Sequence, residues 1–146
     1  MKHRNTQSSS QSYWTSSLKN ASTNSVSSNN QGTHIITRVV GVTFENRQEV
    51  VAILEVGEQI TLRREPTNPY DANAIRVERL TCEQIGYIDR YKAASLAPIF
   101  DACGGIGAGT VIQLIGGHSN GMSLGVVIEF TIPRLTLNPR GGYDYV

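Results

Sequence analysis

The sequence predicts a mainly β protein, a small barrel with one inserted α-helix that follows a disordered tail. Several short segments alternate apolar and polar residues with a period of two, which is typical of strands. One stretch instead places its apolar residues at helical spacing. Frequent turn residues separate the segments, and this combination favours a small all-β barrel carrying a helix.

The composition divides the 146 residues into three parts. Residues 1–32 are rich in Ser, Asn, Thr and Gln and cannot bury enough apolar surface to offset chain entropy, so we expect a disordered tail. Residues 33–135 are expected to form one domain, and residues 136–146 a flexible C-terminus. No secretory signal or membrane-length apolar run occurs, which predicts a cytoplasmic protein without a membrane partner.

The formal net charge of +1 is unevenly distributed. Lys2, Arg4 and Lys19 lie in the tail, which leaves ten basic against twelve acidic residues in the rest of the chain. A strongly basic nucleic-acid surface is therefore not expected. Binding to DNA or RNA would have to depend on a few well-placed groups.

The N-terminal half of the domain contains three candidate segments. HIITRVVGVTF (34–44) predicts a strand with Val40, Val42 and Phe44 on one face. VVAILEV (50–56) fits either a strand or a short helical turn. EQITLRRE (58–65) alternates again, with Ile60 and Leu62 on one face.

Two further strands and a helix follow. NAIRVERL (73–80) predicts a strand with Ile75 and Val77 inward and Arg76 and Glu78 outward, and QIGYI (84–88) a short one. DRYKAASLAPIFDACGG then changes to helical spacing, and its expected buried residues are Ala93, Leu96, Ala97 and Phe100.

The predicted helix has recognisable ends and one irregularity. Asp89 is expected to be the N-cap, and Gly104 the stop. Pro98 costs about 3 kcal/mol inside a helix, so a late start, a kink or a break near Ala97 is expected.

The C-terminal part of the domain predicts a hairpin. TVIQLIGG (110–117) and LGVVIEFTIP (124–133) have strand character, and SNGM (119–122) between them contains the Asn-Gly pair of tight hairpins. CGGIGAG (103–109) follows a helix and precedes a strand, and it lacks the Lys-Ser/Thr of a phosphate loop. We therefore interpret it as a helix stop and flexible connector.

The side chains that carry metal or covalent chemistry are scattered. Neither a CxxC nor an HxxxH spacing occurs among His3, His34, His118, Cys82 and Cys103, and no GxSxG motif is present. We expect no metal site, no cofactor and no catalysis by this chain alone.

The stretch REPTNPYDANAIRV (64–77) contains more than a turn requires. Asn68, Pro69 and Asp71 are ordinary turn residues that fix φ or cap local N–H groups. Tyr70 is not explained in this way, because an aromatic ring at a turn tip usually packs on a neighbour or recognises a flat ligand.

This stretch, followed by QIGYIDRYKAASLAPIFD, resembles the HIRAN domain family. The hallmark is an (R/D)-(E/D)-P-x-N-P-x-D-x-N-A-(I/V)-x-V run and a strand end leading into a helix, and VVGVTF fits the first strand. The resemblance covers about residues 36–133. It implies an OB-like β-barrel that captures the 3′-hydroxyl end of single-stranded DNA during repair or stalled-fork processing, with a partner helicase or nuclease. It also implies a stand-alone, bacterial-type protein, nucleoid-associated in a bacterium.

The resemblance implies a nucleic-acid-binding site of six residues: Phe44, Asn68, Tyr70, Asp71, Tyr87 and Arg90. Asp71 would accept a hydrogen bond from the 3′-hydroxyl, while Tyr70 and Phe44 would flank the last base. Tyr87 and Arg90 would contact phosphate, Arg90 with help from helix N–H groups.

Some positions depart from the family pattern. Thr43 stands where the family has an arginine, and Glu45 stands where it has a second aromatic ring, which is expected to weaken the hold on DNA. Phe130 is the candidate for a further aromatic residue on the last strand.

Two other functions stay open at this stage. One is a protein-interaction barrel, favoured by the mildly acidic ordered region. The other is an accessory piece of a metal-dependent hydrolase or helicase system, which the scattered His and Cys residues disfavour.

Overall fold

Six strands close into one antiparallel barrel in a computed structural model that describes residues 32–117, 121–137, 139–140 and 143–145. The barrel strands are β1 (Thr33–Val40), β2 (Gln59–Arg64), β3 (Ile75–Arg79), β4 (Gln84–Ile88), β5 (Ile106–Ile115) and β6 (Gly125–Ile132). Their order around the barrel is β1-β4-β3-β2-β5-β6, and β6 pairs with β1 to close it. The predicted mainly β, OB-like barrel is confirmed. Of the predicted tail, all but Gly32 lies outside the described residues, and the domain boundaries stay predictions.

Two helices connect the strands. The short α1 (Arg47–Ala52) joins β1 to β2, and α2 (Arg90–Ala102) is inserted between β4 and β5. The open choice for residues 50–56 is thus resolved, because their first part completes α1. No helix in the described residues is long and apolar enough to span a membrane.

Alternate residues of the strands fill the barrel, as the period of two predicts. Ile60, Leu62, Ile75 and Val77 are all fully buried. The α2 helix covers the interior with Phe100, whose ring meets the Phe130 ring edge-on at a centroid distance of 6.3 Å. Burial of its apolar face carries α2 through Pro98, which is exposed, so the expected break does not occur.

The first strand is shorter than predicted. It ends at Val40, because Gly41, Glu45 and Asn46 all adopt positive φ and turn the chain into α1. Val40 and Phe44 are exposed while Val42 packs against the core, so the three do not share one strand face.

Glu78 lies on the outer face of the barrel with Arg63 and Arg76, as predicted, but it is covered there rather than exposed to solvent. Its side chain is 4% exposed, and its two carboxylate oxygens accept hydrogen bonds from Arg63 at 2.9 Å and Arg76 at 2.8 Å. Two guanidinium groups offset the cost of removing this charge from water.

The glycine-rich connector is also shorter than predicted. Gly104 ends α2 and Gly105 continues the turn, both with positive φ, but β5 already begins at Ile106. Gly109 lies within β5, where a Cβ atom would come within 2.8 Å of the Glu129 carbonyl oxygen on β6. Close packing of two strands, rather than flexibility, explains this glycine.

The hairpin of β5 and β6 is confirmed by their antiparallel pairing, although Ser119 and Asn120 of the predicted turn lie outside the described residues. Beyond the barrel, β7 (Leu135–Leu137) pairs with β8 (Tyr143–Tyr145). The flexible C-terminus expected for residues 136–146 stays a prediction; of this segment, the structure describes 136–137, 139–140 and 143–145.

The N-cap of α2 gives a first testable prediction. Asp89 accepts hydrogen bonds from the backbone N–H groups of Tyr91 and Lys92, as the sequence predicts. Asp89→Ala should lower the free energy of unfolding by about 1 kcal/mol, measured by urea denaturation. Asp89→Asn, which keeps a capping oxygen, should lose much less; equal losses would contradict the capping role.

Candidate functional site

A cleft of about 940 Å³ opens on the barrel surface where four parts of the chain meet. They are the segment from the end of β1 to Arg47 of α1, the β2–β3 loop, the end of β4 and the start of α2. All six predicted site residues line this cleft: Phe44, Asn68, Tyr70, Asp71, Tyr87 and Arg90. Their role in binding stays a prediction, but the fold brings them together.

The β2–β3 loop is closed by its own backbone. Glu65 N–H donates to the Ala74 carbonyl at 2.9 Å, Asn68 N–H to the Glu65 carbonyl at 3.0 Å, and Ala74 N–H to the Asp71 carbonyl at 3.0 Å. The loop therefore presents Tyr70 and Asp71 in a defined conformation.

Asn68 uses its side chain to shape this loop. Its Oδ1 accepts from the N–H groups of Tyr70 at 2.9 Å and Asp71 at 3.1 Å. Its Nδ2 donates to Glu65 Oε1 at 3.0 Å and to the Tyr87 hydroxyl oxygen at 3.3 Å. Because its oxygen and its nitrogen both bond within the protein, Asn68 organises the site.

Asp71 combines a structural contact with an available oxygen. Its Oδ1 accepts from Asn73 N–H at 2.9 Å, which caps the local turn. The second carboxylate oxygen accepts no hydrogen bond from any described residue, and the half-buried side chain lines the cleft. A carboxylate in this state can accept a hydrogen bond from a ligand hydroxyl.

Two aromatic rings line the cleft without being packed into the protein. Tyr70 is 88% exposed and Phe44 is 65% exposed. Aromatic rings bind flat ligands by stacking, and an exposed ring gains the most apolar burial when a ligand covers it.

The carboxylate of Glu65 lies at the base of this arrangement. Burial raises its pKa, but hydrogen bonds from Asn68 and Tyr87 and the charge of Arg76 outweigh that effect, so the pKa lies below its usual value. The ionised carboxylate therefore accepts from both side chains at neutral pH.

Tyr87 is placed in the cleft, but its hydroxyl is already used. The O–H group donates to Glu65 Oε1 at 2.8 Å, and burial together with this bond raises the pKa of Tyr87. The face of the ring carries the Arg47 guanidinium, with Cζ 5.4 Å from the ring centre. A phosphate contact by the hydroxyl would require breaking the bond to Glu65.

Arg90 lies exposed at the first turn of α2, at the edge of the cleft. The N–H groups of Tyr91 and Lys92 already donate to Asp89, so these two are not available for the help from helix N–H groups that the sequence predicts. The phosphate contact of Arg90 stays a prediction.

Phe130 is wrong as a candidate for the aromatic surface. It is only 3% exposed and packs on Phe100 inside the barrel. Its position on β6 faces the interior, so no ligand base can reach its ring.

Two arginines that help to build the site are not among the residues predicted from the sequence. Arg64 donates to the Ala72 and Ala74 carbonyls, both at 3.0 Å, and pairs with Asp101 of α2 at 2.9 Å, which ties the loop to the helix. Its place directly before Glu65 in the family motif is the signal that could have found it. Arg47 lies in a polar run without any periodic pattern, so no sequence signal identified it.

No group of three or more His, Cys, Asp and Glu residues in the described ranges is arranged to hold a metal ion.

The closed barrel and the cleft over its β2–β3 loop define a small OB-like binding fold. The HIRAN domain model matches residues 33–129, and the chain belongs to the HIRAN domain family. The crystal structure of the HIRAN domain of human HLTF shares this fold, with a TM-score of 0.50 and 23% identity over 74% of this chain and 84% of that chain.

Two curated relatives match parts of the domain. The helicase-like transcription factor of Oryctolagus cuniculus is 45% identical over 49 residues, which are 34% of this chain and 5% of that protein. A putative SWI/SNF-related matrix-associated actin-dependent regulator of chromatin subfamily A member 3-like 1 of Arabidopsis thaliana is 40% identical over 68 residues, 47% of this chain and 7% of that protein. The match thus spans a small fraction of each relative.

Glu65 makes stability depend on pH. A carboxyl group whose pKa is lowered by folding stabilises the protein above its unfolded pKa, and this contribution is lost as pH falls through the folded pKa. Glu65→Gln should therefore be less stable than wild type at pH 7, and the difference should shrink in acid.

Urea denaturation at pH 7 and at successively lower pH measures this difference. Glu49→Gln is the matched control, because Glu49 is exposed and lies outside the cleft. A Glu65→Gln deficit that stayed constant with pH would contradict the linkage.

Proposed function

We propose that the cleft binds the 3′-hydroxyl end of single-stranded DNA. The observation that carries this proposal is the Asp71 carboxylate, which has one oxygen available in a cleft that also contains the exposed rings of Phe44 and Tyr70. Membership in the HIRAN domain family supports it, since the family resemblance implies capture of such an end.

Each group has a distinct part in the proposed mechanism. Tyr70 and Phe44 hold the last base by stacking, which contributes about 1–3 kcal/mol per base and tolerates any sequence. The Asp71 carboxylate accepts the hydrogen bond of the terminal hydroxyl. Such charge-assisted bonds contribute about 1.5–3 kcal/mol.

Rejection of other ends follows from the same charge. A 3′-phosphate would bring a negative group against Asp71, and a continuing strand offers no hydroxyl to donate. Because Glu45 and Glu65 also line the cleft and only Arg47 and Arg90 oppose them, the lining favours an end without a terminal phosphate.

In this proposal the domain is a non-catalytic binding module. It delivers the captured end to a partner helicase or nuclease in DNA repair or stalled-fork processing. The relatives named as helicase-like support a helicase as the partner.

The end preference is tested with labelled oligonucleotides that differ only in a 3′-hydroxyl or a 3′-phosphate. Wild type should bind the hydroxyl end at least tenfold more tightly, since the charge-assisted bond corresponds to about that factor. Asp71→Asn keeps a capping oxygen for Asn73 N–H but loses the charge, so the preference should fall while the unfolding midpoint stays near wild type. Equal wild-type affinity for both ends would overturn the proposal.

Tyr70→Ala should have a different signature. Loss of stacking should weaken both oligonucleotides equally, by about fivefold or more, and leave the end preference intact. Tyr91→Ala removes another exposed tyrosine, which lies outside the cleft, and should bind like wild type. Anisotropy titrations with the two labelled oligonucleotides measure the affinities of wild type, Tyr70→Ala and Tyr91→Ala. Equal affinities of the two variants would exclude Tyr70 from the site.

A protein-interaction module is the second candidate, because the cleft lining holds more carboxylates than cations. Failure of both oligonucleotides to bind, together with nuclease-resistant recovery of a partner protein, would favour it.

A further inference from the structure

Arg47 lies in the wall of the cleft in a fixed position. Its side chain is 9% exposed, Nη1 donates to the Gly41 carbonyl at 2.8 Å, and the guanidinium lies over the Tyr87 ring. Gly41 leaves room for the Arg47 guanidinium, because a Cβ atom at residue 41 would come within 3.2 Å of Nη1. The charge is therefore held by the barrel and not by a flexible side chain.

Glu45 neutralises this charge but is itself loosely held. Its Oε2 lies 2.6 Å from Arg47 Nη2, while its side chain is 75% exposed. Both Glu45 and Asn46 adopt positive φ, a conformation that non-glycine residues seldom take. Of the two partners, Glu45 is the one that can leave.

The guanidinium also has unmet hydrogen-bonding capacity. Arg47 Nε is buried and finds no acceptor within the part of the chain that the structure describes. A buried donor without a partner is costly, and a guanidinium matches the oxygens of a phosphate as well as those of a carboxylate. Nε itself is buried, so the place that a phosphate oxygen can take is that of Glu45 Oε2 on Nη2.

We propose that Arg47 is a binding site for a backbone phosphate of the bound strand, and that Glu45 covers this site in the free protein. This inference rests on the proposed function, since it takes the ligand to be a nucleic-acid strand in the same cleft. On binding, the phosphate takes the place of the Glu45 carboxylate on Nη2, and Glu45 moves to solvent. Glu45 then sets the affinity of the cleft for the strand without contacting it.

The exchange has a measurable consequence for salt dependence. A phosphate that pairs with a cationic side chain releases a counterion, but the uncovered Glu45 carboxylate takes one up. Binding by wild type should therefore show little salt dependence from this contact. Without the carboxylate, the slope of log Kobs against log[salt] should become steeper by about 0.7, the value for one phosphate of a single strand.

The experiment compares wild type, Glu45→Gln and Glu49→Gln as full chains. A labelled oligothymidine ending in a 3′-hydroxyl or a 3′-phosphate is titrated by anisotropy at several KCl concentrations. Glu45→Gln should bind about two- to fivefold more tightly at low salt, in keeping with the loss of one exposed ion pair, and with the steeper slope. Glu49→Gln removes the same charge two residues beyond Arg47 and should match wild type in both respects.

The outcomes separate the two proposals. Equal behaviour of Glu45→Gln and Glu49→Gln overturns the phosphate site, whether or not the end preference is present. A tighter, more salt-dependent Glu45→Gln without any end preference supports the phosphate site and overturns 3′-end capture. Failure of every protein to bind either oligonucleotide overturns both.

Arg47→Met adds a second check. In that background, Glu45→Gln should no longer change affinity or salt slope, and a persisting effect would assign the charge sensitivity to another residue. If Arg47→Met does not fold, the comparison of Glu45→Gln with Glu49→Gln decides the matter.

Discussion

The geometry of the cleft depends on the carboxylate of Glu65. One of its oxygens accepts hydrogen bonds from the side-chain amide of Asn68 and the hydroxyl of Tyr87. The other oxygen lies 3.6 Å from Arg76. These partners come from the β2–β3 loop, β4 and β3, so one charge joins the loop to the barrel wall. With Nδ2 held in this way, Asn68 Oδ1 is left facing the amides of Tyr70 and Asp71.

Ionic contacts extend this anchor across the outside of the barrel. Arg76 connects Glu65 to the buried Glu78, which Arg63 of the neighbouring strand also binds. Arg64 ties the same loop to Asp101 on α2. A loop fixed at both ends can present an exposed ring and a carboxylate without packing either of them, which is the pre-organisation that a binding site needs.

Much of the fold and part of the site could be predicted from the sequence. The inward residues of β2 and β3 followed from alternation, and the α2 face and its Asp89 cap followed from helical spacing and capping chemistry. The six cleft residues came from the family motif, and the fold does bring them together. Composition and spacing alone explained Asn68 and Asp71 as turn residues but left Tyr70 without a role.

The sequence by itself determined which segments alternate, where α2 begins and which loop carries unusual chemistry, because those properties depend on neighbours in the chain. Only the tertiary structure decided that β1 stops at Val40, that Phe130 faces the core and that Glu78 is buried. It also decided that Arg47 lies against Tyr87 and Glu45. These outcomes depend on contacts between residues far apart in sequence or on local positive φ angles, and neither leaves a periodic pattern that could be recognised beforehand.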